Sequence, residues 1–389
     1  MTNVKTMREP LFRVSKRTEI SLKRQILTRV IAVLIGLMVS FLLLFIVYGN
    51  KANPIVVIKG LFQGAFGTPR KRWVFFRDLS LLLGVGLALI PAFKMRFWNL
   101  GGNGQILIGA LITYACMRNF GGKIPDPLCW LIMFVFSILG GAVWAVIPAI
   151  FKSLFKTNES LFTLMMNYIA TGLTAYFIKG WSGTKGSGSL STLKKGLLPS
   201  VGGNDFLLII ISVAVICVFM FSYMKYSKHG YEIAVVGESE NTARYVGMNV
   251  KKVIIRTLVL SGALCGIIGF FTVGAKDHSL TTSCTNDLGF TAIIAVWIAK
   301  MDPIASIGSS FGIVFITNGV KEVQEIVGST NDSISKIVVG ILYFCIIGCE
   351  FFINYAVAKR NKKRAEQSAN DLTSSAKETN DNNETKENA

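Results

Sequence analysis

The sequence predicts an all-α protein, a polytopic membrane bundle of about ten transmembrane helices. Three observations carry that prediction. Only 16% of the 389 residues are charged, below the roughly 25% usual for soluble domains, while 51% are hydrophobic. The mean hydropathy is +0.51. Apolar residues also run unbroken through stretches such as 30–48 and 128–151. A hydrocarbon core of roughly 30 Å demands about 18 such residues per spanning helix. The formal net charge of +19, from 41 Lys plus Arg against 22 Asp plus Glu, first resembles a polyanion binder's. A nucleic-acid binder, however, is rich in charge, and this chain is poor in it. Soluble enzymes, nucleic-acid binders and disordered proteins are excluded.

Taken in order, residues 1–29 carry Lys5, Arg8, Arg13, Lys16, Arg17, Lys23, Arg24 and Arg29. No small-residue cleavage site follows, so they read as a cytoplasmic lead-in rather than a signal peptide. Ile20, Ile26 and Leu27 are expected to rest at the membrane interface. The candidate spans are 30–48, 76–93, 104–119, 128–151, 160–178, 206–224, 253–273, 288–299, 303–320 and 334–357, the third and eighth being short. A second basic cluster, Lys359, Arg360, Lys362, Lys363 and Arg364, follows the last span. Under the positive-inside rule both ends are then cytoplasmic, which requires an even span count. Ten satisfies it, and so does eight. Loops 152–159 and 225–252 fall inside, each with several basic residues. Loop 49–78 dissents: it should lie outside, yet holds Lys51, Lys59, Arg70, Lys71, Arg72 and Arg77. The first span usually dominates orientation. The chain thus divides into a lead-in at 1–29, a membrane domain at 30–357, and a basic flank with tail at 358–389. From Ala365 the tail holds six carboxylates against Lys377 and Lys386 and almost nothing apolar. It cannot bury enough surface to offset its ordering entropy and is expected to be disordered.

The chemistry-bearing motifs are mostly missing. The nearest fragment to a nucleotide phosphate loop, Gly121-Gly122-Lys123-Ile124, lacks the hydroxyl residue. There is no G-x-S-x-G elbow, HExxH or CxxC pair. Almost all seven cysteines lie in apolar stretches, as small hydrophobes do; Cys284 alone is in a polar one. His229 and His278 fall in different loops and make no metal site. No catalytic residue, metal site or cofactor of the chain's own is expected. Arg256 and Glu350 lie near span ends, within snorkelling reach, and no run of intramembrane carboxylates suggests an ion relay. The expectation is a non-enzymatic transport subunit energised by a separate protein.

Transporters build midplane sites from discontinuous helices, marked in each half by short segments broken with Gly or Pro. Here Gly84, Gly86 and Pro91 precede Trp98-Asn99-Leu100-Gly101-Gly102-Asn103-Gly104-Gln105, which opens an apolar helix. In the second half Asn286-Asp287-Leu288-Gly289-Phe290-Thr291 opens a short span that breaks at Asp302-Pro303. Amides, a hydroxyl and aromatics beside unwound backbone suit a polar, uncharged ligand. A plain turn uses the same Gly and Asn residues, and both readings stand at this point. In loop 225–252, Ser239 is placed to cap a helix of about two turns, with Glu240 in its first turn and Gly247 at its left-handed end. Asn249 is placed to cap the next helix.

These residues resemble a known family. Phe97-Trp98-Asn99-Leu100-Gly101-Gly102-Asn103-Gly104-Gln105 is similar to the F-N-I-G-x-E-G-Q motif of permease subunits of bacterial nucleoside ABC importers. That group is wider, and includes ribose and branched-chain amino-acid permeases. Residues 158–170 resemble its N-E-x-x-x-T-L-M-x-N-Y-I-A stretch, with Asn167 at the second Asn. Gly230-Tyr231-Glu232, Gly237-Glu238, Ala243-Arg244-Tyr245 and Gly247-Met248-Asn249 resemble its long cytoplasmic loop, and Gly289-Phe290-Thr291-Ala292-Ile293 its G-F-T-x-I segment. Four motifs in order cover roughly residues 80 to 350. Asn103 stands where the family usually has Glu, and Trp297-Ile298-Ala299-Lys300 replaces a small-residue continuation. The resemblance implies a nucleoside-like solute passing Trp98, Asn99, Gln105, Asn167, Phe290 and Thr291. It implies that Glu238, Ser239, Glu240, Asn241, Ala243, Arg244, Tyr245 and Gly247 form the helix that couples to an ATPase. It further implies partners: an ABC ATP-binding subunit that binds ATP and Mg, a second and non-identical permease, and an extracellular substrate-binding lipoprotein or periplasmic protein. The setting is membrane lipid in a bacterial cytoplasmic membrane, with no nucleic acid. The alternatives are an ABC permease for a pentose or other small solute, and a self-sufficient secondary transporter or membrane enzyme.

Overall fold

A computed structural model describes residues 12–16, 21–49, 54–182, 188–328 and 332–359. The expected disordered tail lies outside the described residues, as does most of the basic lead-in. Six described helices are long and apolar enough to cross a membrane. One falls within α1 (Leu22–Tyr48). The others are α3 (Pro69–Lys94), α5 (Asp126–Phe155), α6 (Glu159–Ser182), α7 (Leu207–Tyr226), and α10 (Val250–Phe271) with the π-helical turn Thr272–Asp277 that extends it. The remaining expected spans are also helical: α4 (Gly102–Phe120), α11 (Leu288–Ile298), α12 (Ala305–Val327) and α13 (Asp332–Asn354). The protein is a polytopic helical membrane bundle.

Two helices escape the sequence reading. Helix α2 (Pro54–Phe66) lies in the loop with the dissenting charges. Proline at its first position fits, because the N–H it lacks has no intrahelical partner there. A Cβ at Gly60 would overlap Val323, and one at Gly64 would overlap the Asn318 backbone, so α2 lies directly against α12. Two of the dissenting cations are spent nearby, Lys71 on Glu322 and Arg77 on Asp78. Helix α8 (Lys228–Glu238) precedes the short α9 (Glu240–Tyr245).

The chain forms two compact units. In one, which includes residues up to Val39 and from Ile341, β1 (Phe12–Lys16) pairs antiparallel with β2 (Tyr355–Lys359), from Phe12 opposite Lys359 to Lys16 opposite Tyr355. The last expected span therefore stops at Asn354, and its final residues enter a strand. Ala32, Cys349 and Ile353 are buried together here.

In the other unit, Ser40–Gly340, α3 is the axis, every side chain from Ser80 to Phe93 being buried. Helix α10 packs on α5, α4 and α3 through Gly262, Gly266 and Gly269. A Cβ at Gly262 would overlap the Gly141 backbone, one at Gly266 the Ser137 backbone, and one at Gly269 the Ile106 backbone. Lipid supplies little hydrophobic drive between helices, so close backbone contact through small residues is what holds them. The outer faces are apolar instead: Leu131, Phe136 and Val143 on α5, and Ile211, Val215 and Val218 on α7 are exposed, as helices facing hydrocarbon require.

Candidate functional site

Helix α3 ends at Lys94, and residues 95–101 turn the chain through a break before α4. Arg96 takes a left-handed φ of 60°. Asn99, fully buried, organises the turn. Its Oδ1 accepts from the Gly101 N–H at 3.0 Å and from Gln105 Nε2 at 3.3 Å, and its Nδ2 donates to Ser261 Oγ on α10 at 3.3 Å. An Asn side chain bonding its own backbone two residues on is a standard turn device. Asn167 of α6 clamps the same segment from the side. Its Nδ2 donates to the Leu100 carbonyl at 2.9 Å and its Oδ1 accepts from the Gly104 N–H at 2.8 Å. Thr163 Oγ1 accepts from the Leu100 N–H at 3.1 Å. Gly104 is required by this fit, since a Cβ there would lie 2.8 Å from Asn167 Oδ1.

The second interrupted region is joined to the first. Asn286 and Asp287 adopt left-handed conformations, φ 44° and 57°, which Asn and Asp tolerate better than most residues. They aim the start of α11 so that the Gly289 N–H donates to Asn103 Oδ1 at 2.7 Å. The residue departing from the family motif thus bridges the two breaks. Nearby Cys284 is buried, which pushes its thiol up to about 12 and leaves it unreactive.

The structure gathers Trp98, Asn99, Gln105 and Asn167 into one cluster, with Phe290 and Thr291 on the first turn of α11 beside Gly289. Their environments differ. The amides of Asn99 and Asn167 are buried and spent on protein hydrogen bonds, whereas Trp98 and Phe290 stay 38% and 39% exposed. Trp98 packs against Trp297 at 5.2 Å and Phe93 at 5.8 Å between ring centroids. Gln105 Oε1 is buried with no hydrogen-bond partner. Sequence reasoning missed Thr163, Ser261 and Trp297. Thr163 stands inside a quoted motif; nothing in the sequence distinguishes Ser261.

A second constellation lies at the end of the bundle where α3 ends. Ser227 caps α8, its Oγ accepting from the Gly230 N–H at 2.9 Å. His229 is buried between α7 and α10, Nδ1 2.5 Å from Tyr223 Oη and Nε2 3.3 Å from Thr257 Oγ1. Burial, with Arg256 nearby, holds its pKa below the usual 6.5. At the far end of α8, Gly237 rests on the last turn of α3, where a Cβ would overlap the Lys94 carbonyl. Ser239 then caps α9, accepting from the Thr242 N–H at 3.2 Å; Gly247 is left-handed at φ 81°; and Asn249 caps α10. These caps are the ones the sequence points to. On α9, Glu240 and Arg244 are 3.5 Å apart and exposed, Ala243 is buried, and Tyr245 is 92% exposed. Glu238, Ser239 and Glu240 line a cavity of about 190 Å³ with Arg96, Phe97, Lys152 and Glu159. The lever-like α8–α9 pair and the break thus meet at Gly237 and across this cavity.

Residues 74–347 match a family described as the permease component of branched-chain amino acid transport systems. The chain belongs to that family. It is 25% identical to a nucleoside ABC transporter permease, NupB of Lactococcus lactis, over 85% of this chain and 91% of the relative. It is 24% identical to the guanosine ABC transporter permease NupP of Bacillus subtilis, over 87% and 98% respectively. A glucose ABC transporter permease of Haloferax volcanii, TsgB13, is 26% identical over 77% of this chain and 82% of its own length. No solved structure matches the chain. Both clusters, the break and the α8–α9 pair, fall inside the matched permease region.

Proposed function

We propose that this permease carries a nucleoside-like solute across a bacterial cytoplasmic membrane as part of an ABC importer. ATP and Mg are bound by a separate ATPase subunit; a second, non-identical permease and an extracellular binding protein complete the assembly. The observation that carries the reading is Gly237 seated on the Lys94 carbonyl. A push on α9 from an ATPase reaches the 95–101 break through one rigid contact. Tyr245, almost wholly exposed beside exposed Val246, is the aromatic anchor such an interface favours. On this reading Trp98, Phe290 and Thr291 face the solute, while Asn99, Gln105 and Asn167 hold the turn that presents them. The β1–β2 ladder supports both chain ends lying on one side of the membrane, the cytoplasmic side by the basic residues that flank them.

Deleting residues 239–247 in the complete importer is expected to abolish solute-stimulated ATP hydrolysis while leaving membrane insertion intact. Unchanged uptake in that variant overturns the coupling assignment. A second reading, import of a sugar, is favoured by the Haloferax relative. Competition of labelled guanosine uptake by unlabelled nucleosides and by D-ribose separates the two.

A further inference from the structure

At the opposite end of α4 and α6 from the break lies a cleft of about 300 Å³, at the lower limit of small-molecule sites. It is lined by Tyr114 and Arg118 of α4, Trp181 and Ser182 of α6, and Ser189 and Ser191 of the following segment. That segment is built onto the bundle. Its Leu190 and Leu193 N–H groups donate to the Leu280 and His278 carbonyls at 2.9 Å, and Trp130 Nε1 donates to the Leu197 carbonyl at 2.9 Å. Tyr114 Oη donates to the Ser191 carbonyl at 3.1 Å, closing the lip over α4. The described walls of the cleft are therefore held in place by the bundle.

Its chemistry is specific. Tyr114 and Trp181 lie nearly parallel, 25° apart with centroids at 6.0 Å, and Phe177 backs the indole at 5.1 Å. The Arg118 guanidinium sits 5.5 Å over the same indole and donates to the Trp181 carbonyl at 3.1 Å. Serine residues stand at the rim, and among the described residues no carboxylate lines the cleft. Aromatic faces stack on flat heterocycles of any sequence, a guanidinium donates to ring carbonyls, and serine hydroxyls both donate to and accept from a sugar's hydroxyls.

The seam below the cleft is polar at intervals. The buried stripe of α6 runs Thr163, Asn167, Ala170, Thr174, Ile178. Thr174 lies midway between Asn167 and Trp181, and its Oγ1 is buried without a hydrogen-bond partner, as is Gln105 Oε1 on α4. Such atoms are costly to leave unpaired and are rare in native interiors. Gln105 stands nine residues from Tyr114 on α4, about 14 Å along the axis.

We propose that this cleft is a binding site for the nucleoside at the mouth remote from α8–α9, and that the α4–α6 seam leads from it to Gln105. The proposal rests on the import reading above and names where that solute is first held. The stacking residue is Trp181, and the serine rim receives the sugar.

The test uses the complete importer in cells lacking other nucleoside uptake, with tritiated guanosine as probe. Trp181→Ala is expected to raise the KM for uptake about tenfold, the loss of one base–aromatic stack, while Trp181→Phe recovers most of it. Membrane abundance of each variant, measured in parallel, separates this from misfolding. Independently, Ser189→Cys on intact cells should react with a membrane-impermeant maleimide, and guanosine should slow that labelling while D-ribose does not. Wild-type cells that take up no guanosine overturn the import reading itself. Guanosine uptake with an unchanged KM in Trp181→Ala overturns the cleft alone. So does labelling unaffected by guanosine, or equally slowed by D-ribose.

Discussion

The break at residues 95–101 and the α8–α9 pair touch each other yet are built on opposite principles. The break is irregular backbone at the end of α3, with Phe97 and Asn99 buried, where an enclosed N–H or C=O left unpaired is expensive. It is made rigid by side-chain amides: Asn99 from within, Asn167 from α6, and Asn103 outward to α11. The α8–α9 pair is regular helix with short caps, one buried histidine at its root and a bare tip at Tyr245. Rigidity in the first comes from saturating polar groups, and compliance in the second from leaving surface uncovered. Under the function proposed above, the first holds the solute's surroundings and the second is pushed, and those roles call for the contrasting properties.

Substitutions break this contrast in graded steps. The largest effect is expected for Asn167→Leu, which strands the Leu100 carbonyl and the Gly104 N–H in the interior. Two buried groups left unpaired cost about 3 kcal/mol together, read as a lower midpoint of thermal unfolding in detergent. Asn167→Gln keeps both an amide donor and an acceptor and should lose less. Equal losses would mean that bulk rather than hydrogen bonding matters at this position. Next comes Gly237→Ala at the joint. Forcing a methyl group against the Lys94 carbonyl costs about 1–3 kcal/mol as overpacking. ATP hydrolysis in the assembled importer should then persist without driving uptake, and tightly coupled uptake in this variant would remove Gly237 as the joint.

The smallest effect belongs to the root of α8. Folding holds the His229 pKa below its unfolded value of 6.5, so the unfolded chain takes up the proton first as the medium is acidified. The neutral ring's contribution to stability is complete above pH 6.5 and is lost as the pH falls through the folded-state value. Thermal unfolding measured from pH 7.5 downward should therefore show a decline below about 6.5 that His229→Gln flattens. An identical decline in that variant assigns the acid sensitivity elsewhere.

Much of this arrangement is legible in the sequence because it is periodic or capped. Apolar runs mark the long helices, and Ser239, Gly247 and Asn249 mark the ends of α9 and the start of α10. Helix α2 was not legible because its thirteen residues are too few to span a membrane and sit among charges that mimic a loop. Helix α8 is masked by glycines near both ends, one of which, Gly237, is there for contact with α3 rather than for a turn. At the break, the motif locates the residues but not their duties. Asn, Gln and Gly spell a turn and a ligand site equally well. Only tertiary neighbours separate the buried Asn99 from the half-exposed Trp98, and Ser261 arrives from a helix some 160 residues away.

The glycine contacts among α4, α5 and α10 have a mechanical consequence. Where backbones touch with no side chains between them, there is no rotamer to repack and no gap to close. Sliding one helix past the next would drive carbonyl into carbonyl. These three helices are therefore expected to move as one body, with any change of shape taken up at its margins. Those margins are the places where the helices stop: the 95–101 turn on one side and the π-helical turn at Thr272–Asp277 on the other.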